Sequence, residues 1–324
     1  MTCFAIWNPD SLLGREIKES LARRRDLWDD LRLLAPESED EAVVTNIGDE
    51  AAFVLPPTGD SLDDIDVLFA CEFEDGSYHR LEGLDEKATT IVIPSNGCVD
   101  GIPALVAGVN AGPIAAGSTV ASAHPAVVAL AHVLSPLDGL GFSGCTATVL
   151  LPSSTFDQQG IDELLAQTRA ILAFQEQPHG ELFDHQLAFN IVPGEVAGNV
   201  LARSLAEVLE FDPTSVAIQT GLSGVFHGLT ISALIHLDPE CAAASVRSKL
   251  AASDSIEMAA EARPLGPVAA AGKDKILLGA IEPASAPGSF WLWAVTDNLT
   301  AGGALNAIGI AEACSSSSPA GYAM

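Results

Sequence analysis

Residues 3–21, CFAIWNPDSLLGREIKESL, encode the first predicted strand, loop and helix. A short apolar run, a tight loop and an amphipathic pattern follow one another, as at the start of a dinucleotide-binding domain. Such a site uses glycines, which let backbone N–H groups approach a pyrophosphate at the helix N-terminus. This loop reads NPDSLLG, with a carboxylate at Asp10 and a single glycine, Gly14. Asp and Ser are also ordinary helix N-caps, so the stretch predicts the fold and leaves the ligand open.

The composition predicts a globular protein with an acidic surface. The chain has 324 residues, of which 48% are hydrophobic, enough for two domains or one large α/β domain. Its 43 acidic and 15 basic residues give a formal net charge of −28. This charge opposes binding to nucleic acid and to anionic membranes, and it repels anionic ligands unless a local basic cluster collects them.

The cysteines predict no metal or redox site, and the longest charge-free segment predicts no membrane span. The six cysteines include no C-x-x-C pair, so we expect no metal site and no redox motif. Most lie in apolar runs and are interpreted as buried thiols in a reducing cytoplasm, and we expect no signal peptide before the first strand. Residues 101–137 carry no Asp, Glu, Lys or Arg, but recurring Gly, Pro, Asn and Ser favour two buried strands and a helix over membrane insertion.

Alternating strands and helices predict a doubly wound sheet at the start of the chain. Runs typical of buried parallel strands lie at 3–7, 31–34, 67–71, 90–94, 104–109 and 113–116, and helical patterns lie at 12–24 and 76–84. After a predicted helix at 124–134, longer strands indicate an α+β domain with a broad sheet. Its predicted strands are 146–151, 216–219, 229–237, 275–281 and 290–295, and its predicted helices are 161–174, 200–209 and 241–251. A last predicted helix, 303–313, has the position to return to the first domain.

Three blocks of the sequence resemble one protein family, in order and at similar spacing over nearly the whole chain. The first is GIDELLAQTR (160–169) followed by FDHQLAFNIVP (183–193). The second is AGKD (271–274), which runs into a predicted strand. The third and most specific is LWAVTDNLTAGGALNAIGIAE (292–312). Together the blocks resemble aspartate-semialdehyde dehydrogenase.

The resemblance implies a fold and a reaction. It implies an α/β protein with a Rossmann-like doubly wound domain at residues 1–122 and a central α+β dimerisation domain with a large mixed sheet at 123–301. A C-terminal helix and tail, 302–324, would return to the first domain. The family reduces aspartyl phosphate to the semialdehyde with NADPH through a cysteine thioester. That reaction needs a thiolate, a histidine acid/base, substrate-binding arginines and a cofactor cradle.

The positions that the resemblance assigns to the cofactor loop depart from the family's pattern. The family's glycine-rich loop is replaced by NPDSLLG, of which only Gly14 matches. Gly309 stands where the family has a glutamine. We therefore expect no bound cofactor, and interpret Gly14, Asn298 and Gly302 as remnants of an NADP site.

Acidic residues follow two of the predicted strands, where the family binds parts of its cofactor. After the second strand, where the family accommodates the extra phosphate of NADPH, the chain reads PESEDE (36–41). After the strand at 67–71 it carries Glu72, Glu74 and Asp75. These carboxylates would repel a ribose phosphate.

The positions that the resemblance assigns to catalysis are also changed. The segment that matches the family's nucleophile, 116–124, contains no cysteine. Leu229 replaces the catalytic histidine after His227 and Gly228, Leu222 replaces the substrate arginine, and Leu151 replaces a glutamine. We therefore expect no catalytic residue.

The distribution of lysine and arginine does not depend on how single positions are matched to the family. No Lys or Arg occurs in residues 88–168 or 204–246, which hold almost every position at which the family binds its anionic substrate. Losing one charge-assisted contact costs about 1.5–3 kcal/mol, so losing several should abolish recognition. The sequence therefore predicts a non-catalytic homologue that acts as a structural, assembly or interaction subunit, as a homodimer or with another protein.

The sequence is also compatible with three alternatives. New chemistry in the old cleft would use His124 or His227 with a serine such as Ser118 or Ser122. A working NADP-dependent dehydrogenase would need the nucleophile Cys98 or Cys145. A neutral or apolar ligand would fit a cleft lined by Leu151, Leu222 and Leu229.

Overall fold

The computed structural model describes residues 2–36, 44–71, 80–94, 99, 101–176, 180, 182–194, 196–260 and 265–315. The chain forms two compact units, one comprising Met1–Ala123 with Gly303–Met324 and the other His124–Gly302. Each division falls one residue after a predicted domain boundary. The predicted functions of the two units stay predictions.

Each unit is built around one sheet. The described strands are β1 (Cys3–Trp7), β2 (Asp30–Leu34), β3 (Val44–Ile47), β4 (Glu50–Leu55), β5 (Val67–Cys71), β6 (Thr89–Ile93), β7 (Ala104–Leu105), β8 (Thr119–Ser122), β9 (Gly144–Leu151), β10 (Ile191–Pro193), β11 (Val216–Ser223), β12 (Leu229–His236), β13 (Ile256–Met258), β14 (Ile276–Pro283) and β15 (Ser289–Thr296). The described α-helices are α1 (Leu12–Ala22), α2 (Pro125–Leu134), α3 (Asp157–Leu172), α4 (Gly198–Leu209), α5 (Ala243–Ala251), α6 (Pro267–Ala270) and α7 (Leu305–Ser315).

The described strands of the first unit lie in the order β3-β4-β2-β1-β5-β6-β8-β7. Their pairings are parallel except for the β3–β4 hairpin. Both faces of β1 are buried, because its alternate side chains enter two cores. One core contains Phe4, Ile6, Ile17, Leu21, Phe69 and Ile308, and the other contains Cys3, Ala5, Leu34, Leu62 and Leu68. The C-terminal helix α7 packs beside α1 and β6 of this unit.

The described strands of the second unit lie in the order β10-β11-β9-β12-β15-β14-β13 and form a mixed sheet. Helix α4 packs against β11, and α5 packs against β14. Along β15, buried Phe290 and Leu292 alternate with Trp291 and Trp293, which are 44% and 40% exposed. The face that carries these two tryptophans, called the open face, is therefore exposed around them, while Ala270 of α6 and Leu265 cover its Val295 end.

The predicted fold class is confirmed: the structure has a Rossmann-like unit, a unit with a large mixed sheet, and a C-terminal helix that returns to the first unit. No helix in the described part of the chain combines the length and apolar character that a bilayer span requires.

Several local predictions were wrong. The run at 113–116 is not a strand; β8 begins at Thr119, after a turn at Gly117, whose φ is +79°. The strand predicted at 104–109 ends at Leu105, because the side chain of Asn110 accepts the backbone N–H of Val106 and closes a turn. Of the helix predicted at 76–84, residues 80–84 are not helical and the rest lies outside the described residues. The β3–β4 hairpin was not predicted.

Candidate functional site

Hydrogen bonds between neighbouring residues hold the loop between β1 and α1 in place. Ser11 is the N-cap of α1: its Oγ accepts the backbone N–H of Gly14 at 3.0 Å and donates to the carbonyl of Asn8 at 3.0 Å. Pro9 has no N–H to offer a ligand. A Cβ atom at Gly14 would lie 2.3 Å from the oxygen of Asn8, so the glycine serves the packing of the loop against its own helix. The acidic runs that follow the strands, 37–41 and 72–75, lie outside the described residues.

The C-terminal helix comes close to the turn after β7. A Cβ atom at Gly309 would lie 2.6 Å from the Cβ of Ala107, so α7 reaches this turn only with glycine at that position. Asn306 ties the same region together: its Oδ1 accepts the N–H of Ala107 at 2.9 Å. Its Nδ2 donates to the oxygen of Leu105 at 3.1 Å and to Ser122 Oγ at 2.8 Å. Ser122, a candidate nucleophile from the sequence, is therefore engaged within this unit.

One edge of the second sheet brings together three aliphatic positions singled out by the sequence. Leu151 pairs with Leu222 at the ends of β9 and β11. Leu229 begins β12, where it pairs with Thr296 at the end of β15. All three leucines are buried. This edge therefore presents aliphatic side chains where the family resemblance implies a glutamine, an arginine and a histidine.

Two serines that the sequence reasoning missed lie at the same edge. The loop after β9 pairs with the loop before β12, since the N–H groups of Ser153 and Ser154 donate to the carbonyls of Val225 and Phe226 at 2.8 and 3.0 Å. Asn298 joins both loops: it accepts the N–H of Gly228 at 2.9 Å and donates to Ser154 Oγ at 3.1 Å. The only sequence signal for these serines is their position directly after a buried strand.

Three buried polar atoms at this edge have no hydrogen-bond partner in the described structure: Ser153 Oγ, His227 Nδ1 and Thr296 Oγ1. Unpaired buried polar groups are costly and mark sites that a ligand or water can satisfy. A neutral hydrogen-bonding ligand suits this set, because the flanking sequence has no lysine or arginine.

His124 is a structural residue in this geometry. It is the N-cap of α2, and its Nδ1 accepts the N–H of Ala126 at 3.1 Å. The side chain is only 3% exposed, and burial lowers the pKa of His124 from 6.5 to about 4. The imidazole is therefore neutral near pH 7, with its proton on Nε2.

Replacement of His124 by Asn should flatten the pH dependence of stability. The folded-state pKa lies below the unfolded one, so the stabilisation is complete above pH 6.5 and is lost as the pH falls towards 4. Between pH 7.5 and 5 the wild-type protein should lose about 2 kcal/mol through this group, whereas Asn caps without titrating. Urea unfolding at both pH values measures the difference. His132, whose pKa is also lowered by burial, is present in both proteins and cancels. Equal losses in the two proteins would contradict this assignment.

Neither Cys145 nor Cys3 is placed or activated as a nucleophile. Cys145 lies near the start of β9, at the other end of the strand from Leu151, and burial raises its pKa to about 12. Cys3 is buried in β1, and burial raises its pKa to about 12 as well. Helix α2 begins at Pro125, and the segment before it, residues 116–124, contains no cysteine. Cys98 lies outside the described residues. Within the described ranges, no group of three His, Cys, Asp or Glu side chains could hold a metal ion.

The retained first block holds a loop in place. Gln167 of α3 accepts the N–H groups of Leu187 and Ala188 at 2.7 and 3.1 Å and donates to the carbonyl of His185 at 3.1 Å. Glu163 of the same helix accepts two further N–H groups of that segment, at 2.8 and 3.0 Å.

A hydrogen bond connects the second block to the third. Asp297 accepts the N–H of Gly272 at 2.8 Å with one oxygen, and those of Leu299 and Thr300 at 2.9 and 3.0 Å with the other. A Cβ atom at Gly302 would lie 2.6 Å from the Cβ of Pro125. The glycine therefore permits a close approach to the start of α2.

No protein-family model matches the chain. The chain is 29% identical to the USG-1 protein homolog of Azotobacter vinelandii over 205 residues, 60% of the chain and 61% of that protein. It is 32% identical to the USG-1 protein homolog of Pseudomonas aeruginosa over 231 residues, 65% of the chain and 67% of that protein. The first of these matches spans less than two thirds of the relative's length.

A longer match and a solved structure cover nearly the whole chain. The aspartate-semialdehyde dehydrogenase of Rickettsia conorii is 27% identical over 327 residues, 93% of the chain and 94% of that protein. The crystal structure of aspartate semialdehyde dehydrogenase II from Vibrio cholerae, complexed with ASA, has a TM-score of 0.84 at 21% identity, and the alignment covers 98% and 99% of the two chains. At this identity the structural likeness shows the fold.

Proposed function

Because this chain belongs to the aspartate-semialdehyde dehydrogenase family, we propose that it is a non-catalytic member acting as a structural, assembly or interaction subunit. One observation carries the proposal. The retained blocks keep polar side chains that are hydrogen-bonded to other residues of the protein, among them Gln167, Asp297 and Asn306. The positions that resemble the family's reactive groups are aliphatic or lack a thiol.

The residues present do not fit NADPH. Ser11 occupies the N–H of Gly14 at the start of α1, and Pro9 offers no donor to a pyrophosphate. Gly309 faces Ala107 so closely that the glutamine of the family would not fit without a shift. These features support a protein without a nicotinamide cofactor, and no reaction step is assigned to one.

The open face of the second sheet supports a partner that is a second copy of the chain. Trp291 and Trp293 lie opposite Leu234 and Ser232 of β12 on this face, and Thr148 of β9 adds an exposed side chain beside them. Exposed aromatic area of this kind marks interaction sites. A two-fold dimer would cover the face with its own copy. A hetero-oligomer would use the same face.

A second candidate function rests on the unpaired atoms at the sheet edge. Ser153 Oγ, His227 Nδ1 and Thr296 Oγ1 favour a neutral ligand, bound or chemically altered, at the strand ends beside the buried leucines. His124 supports this candidate less, because it caps α2 and is neutral near pH 7. The described free cysteines, such as Cys145, support a reducing compartment such as the cytoplasm.

An activity assay tests the proposal. NADPH oxidation is followed at saturating aspartyl phosphate, with an active family member as the positive control. We expect no oxidation above the buffer background. Turnover that scales with the concentration of this protein would contradict a non-catalytic role.

A further inference from the structure

The cations of this acidic chain are not spread evenly. An open cavity of about 730 Å³, called the groove below, lies between α1 and β3 in the first unit. Three of the chain's 15 basic residues line it: Arg15, Lys18 and Arg23. The net charge repels anionic ligands unless local basic residues collect them, and this groove brings three basic residues together beside three carboxylates.

Lys18 is the unusual member of the cluster. The residue is only 7% exposed, and its Nζ donates to Thr45 Oγ1 at 2.8 Å. An ammonium group has three donors, and Nζ makes no ion pair within the described residues. A buried charge without an opposite charge in contact is costly. The lysine therefore has donors that no described residue uses, and the carboxylates of Asp10 and Glu19 favour its charge without an ion-pair contact.

Arg15 adds to that cost. It lies one helical turn before Lys18, and no ion pair of its side chain occurs in the described structure. Burial lowers the pKa of Lys18, and the charge of Arg15 lowers it further, while Asp10 and Glu19 raise it. Two like charges near one cavity favour the entry of an anion between them.

Hydrogen-bond donors complete the wall. Thr45 Oγ1 accepts from Lys18, and its own O–H proton, which no residue in the described ranges accepts, can donate to a ligand. The amide of Asn46 lines the same cavity. Arg23 is engaged with Glu16 at 3.9 Å and with Ser20 at 3.0 Å, so we place the ligand's anion at the Lys18 end.

We propose that the groove between α1 and β3 binds a small metabolite through a phosphate or carboxylate group, held by Lys18, Arg15 and the hydroxyl of Thr45. Three carboxylates, Asp10, Glu19 and Asp49, also line the groove. They favour a ligand whose remainder is neutral or cationic and disfavour a polyphosphate. The inference is independent of the proposed function, since the residues that would hold the ligand, Lys18, Arg15 and Thr45, lie outside the β1–α1 loop and outside the second sheet.

Calorimetric titration with inorganic phosphate and with malonate tests the site, at constant ionic strength maintained with sodium chloride. We expect saturable one-site binding of at least one of the two. Saturation by phosphate alone assigns a phosphate ligand, and saturation by malonate alone assigns a carboxylate ligand. Because each lost charge-assisted contact weakens binding tenfold to a hundredfold, Lys18→Met should lower the affinity at least tenfold.

Two further variants make the test specific. Arg15→Gln, at an exposed position on α1, should also lower the affinity about tenfold and does not risk the fold. Lys249→Met, at an exposed position on α5, should leave it unchanged. Absence of saturable binding of both anions would overturn the proposal, as would equal affinities for wild type, Lys18→Met and Arg15→Gln.

Discussion

Replacing both Trp291 and Trp293 by Glu should convert the proposed dimer into monomers. The two side chains lie on the open face of the second sheet, where they are 44% and 40% exposed. In a two-fold contact each substitution occurs twice, so the two carboxylates of one protomer would meet the two of its partner or an apolar surface. Large aromatic residues dominate the energy of such interfaces. We expect the dissociation constant to rise by at least a thousandfold, roughly 4 kcal/mol.

Analytical ultracentrifugation at micromolar concentration measures this change. Phe53→Glu is the matched control, because Phe53 is 60% exposed but lies on β4 of the first unit. This control should sediment like the wild-type protein. A wild-type protein that is monomeric at all concentrations, or a double variant that remains dimeric, would contradict the assignment of this face.

Replacing Gln167 by Leu should strongly destabilise the protein. The variant removes one acceptor that serves two N–H groups and one donor that serves a carbonyl. Each buried group left unpaired costs about 1–3 kcal/mol. The two N–H groups are buried and the carbonyl of His185 is part-buried, so we count the N–H groups and expect the free energy of unfolding to fall by roughly 2–6 kcal/mol, measured by urea denaturation.

Gln158→Leu on the same helix is the control for Gln167→Leu. Its side chain makes one exposed hydrogen bond, to Asp162 at 2.9 Å, so the loss should stay within about 0.5 kcal/mol. If Gln167→Leu costs less than 1 kcal/mol, the first block does not hold the loop as described.

The sequence was most informative where a pattern depends on burial. The runs around Phe4 and Phe69 predicted strands because both faces of these strands enter a core. The hydrophobic pattern gave wrong strand limits where a backbone turn ends or delays a strand. The turn closed by Asn110 ends β7 early, and the turn at Gly117 delays β8, and neither changes the hydrophobic pattern.

The candidate site was only partly predictable for a similar reason. The leucines at 151, 222 and 229 were found because a family resemblance assigned roles to their positions. Ser153 and Ser154 were missed, because their role depends on contacts with Asn298 and with the loop before β12. The groove at Lys18 was also missed, since the helical pattern of α1 gives no sign that a lysine is buried against Thr45.

Direct titration with NADPH tests the central claim, that the family architecture remains while its cofactor chemistry is lost. The titration is performed by calorimetry on the wild-type protein and on Lys18→Met, so that binding in the groove at Lys18 is recognised by its loss in the variant. We expect no saturable heat and no change in nicotinamide fluorescence. Saturable binding with a micromolar dissociation constant, accompanied by enhanced nicotinamide fluorescence, would contradict the account.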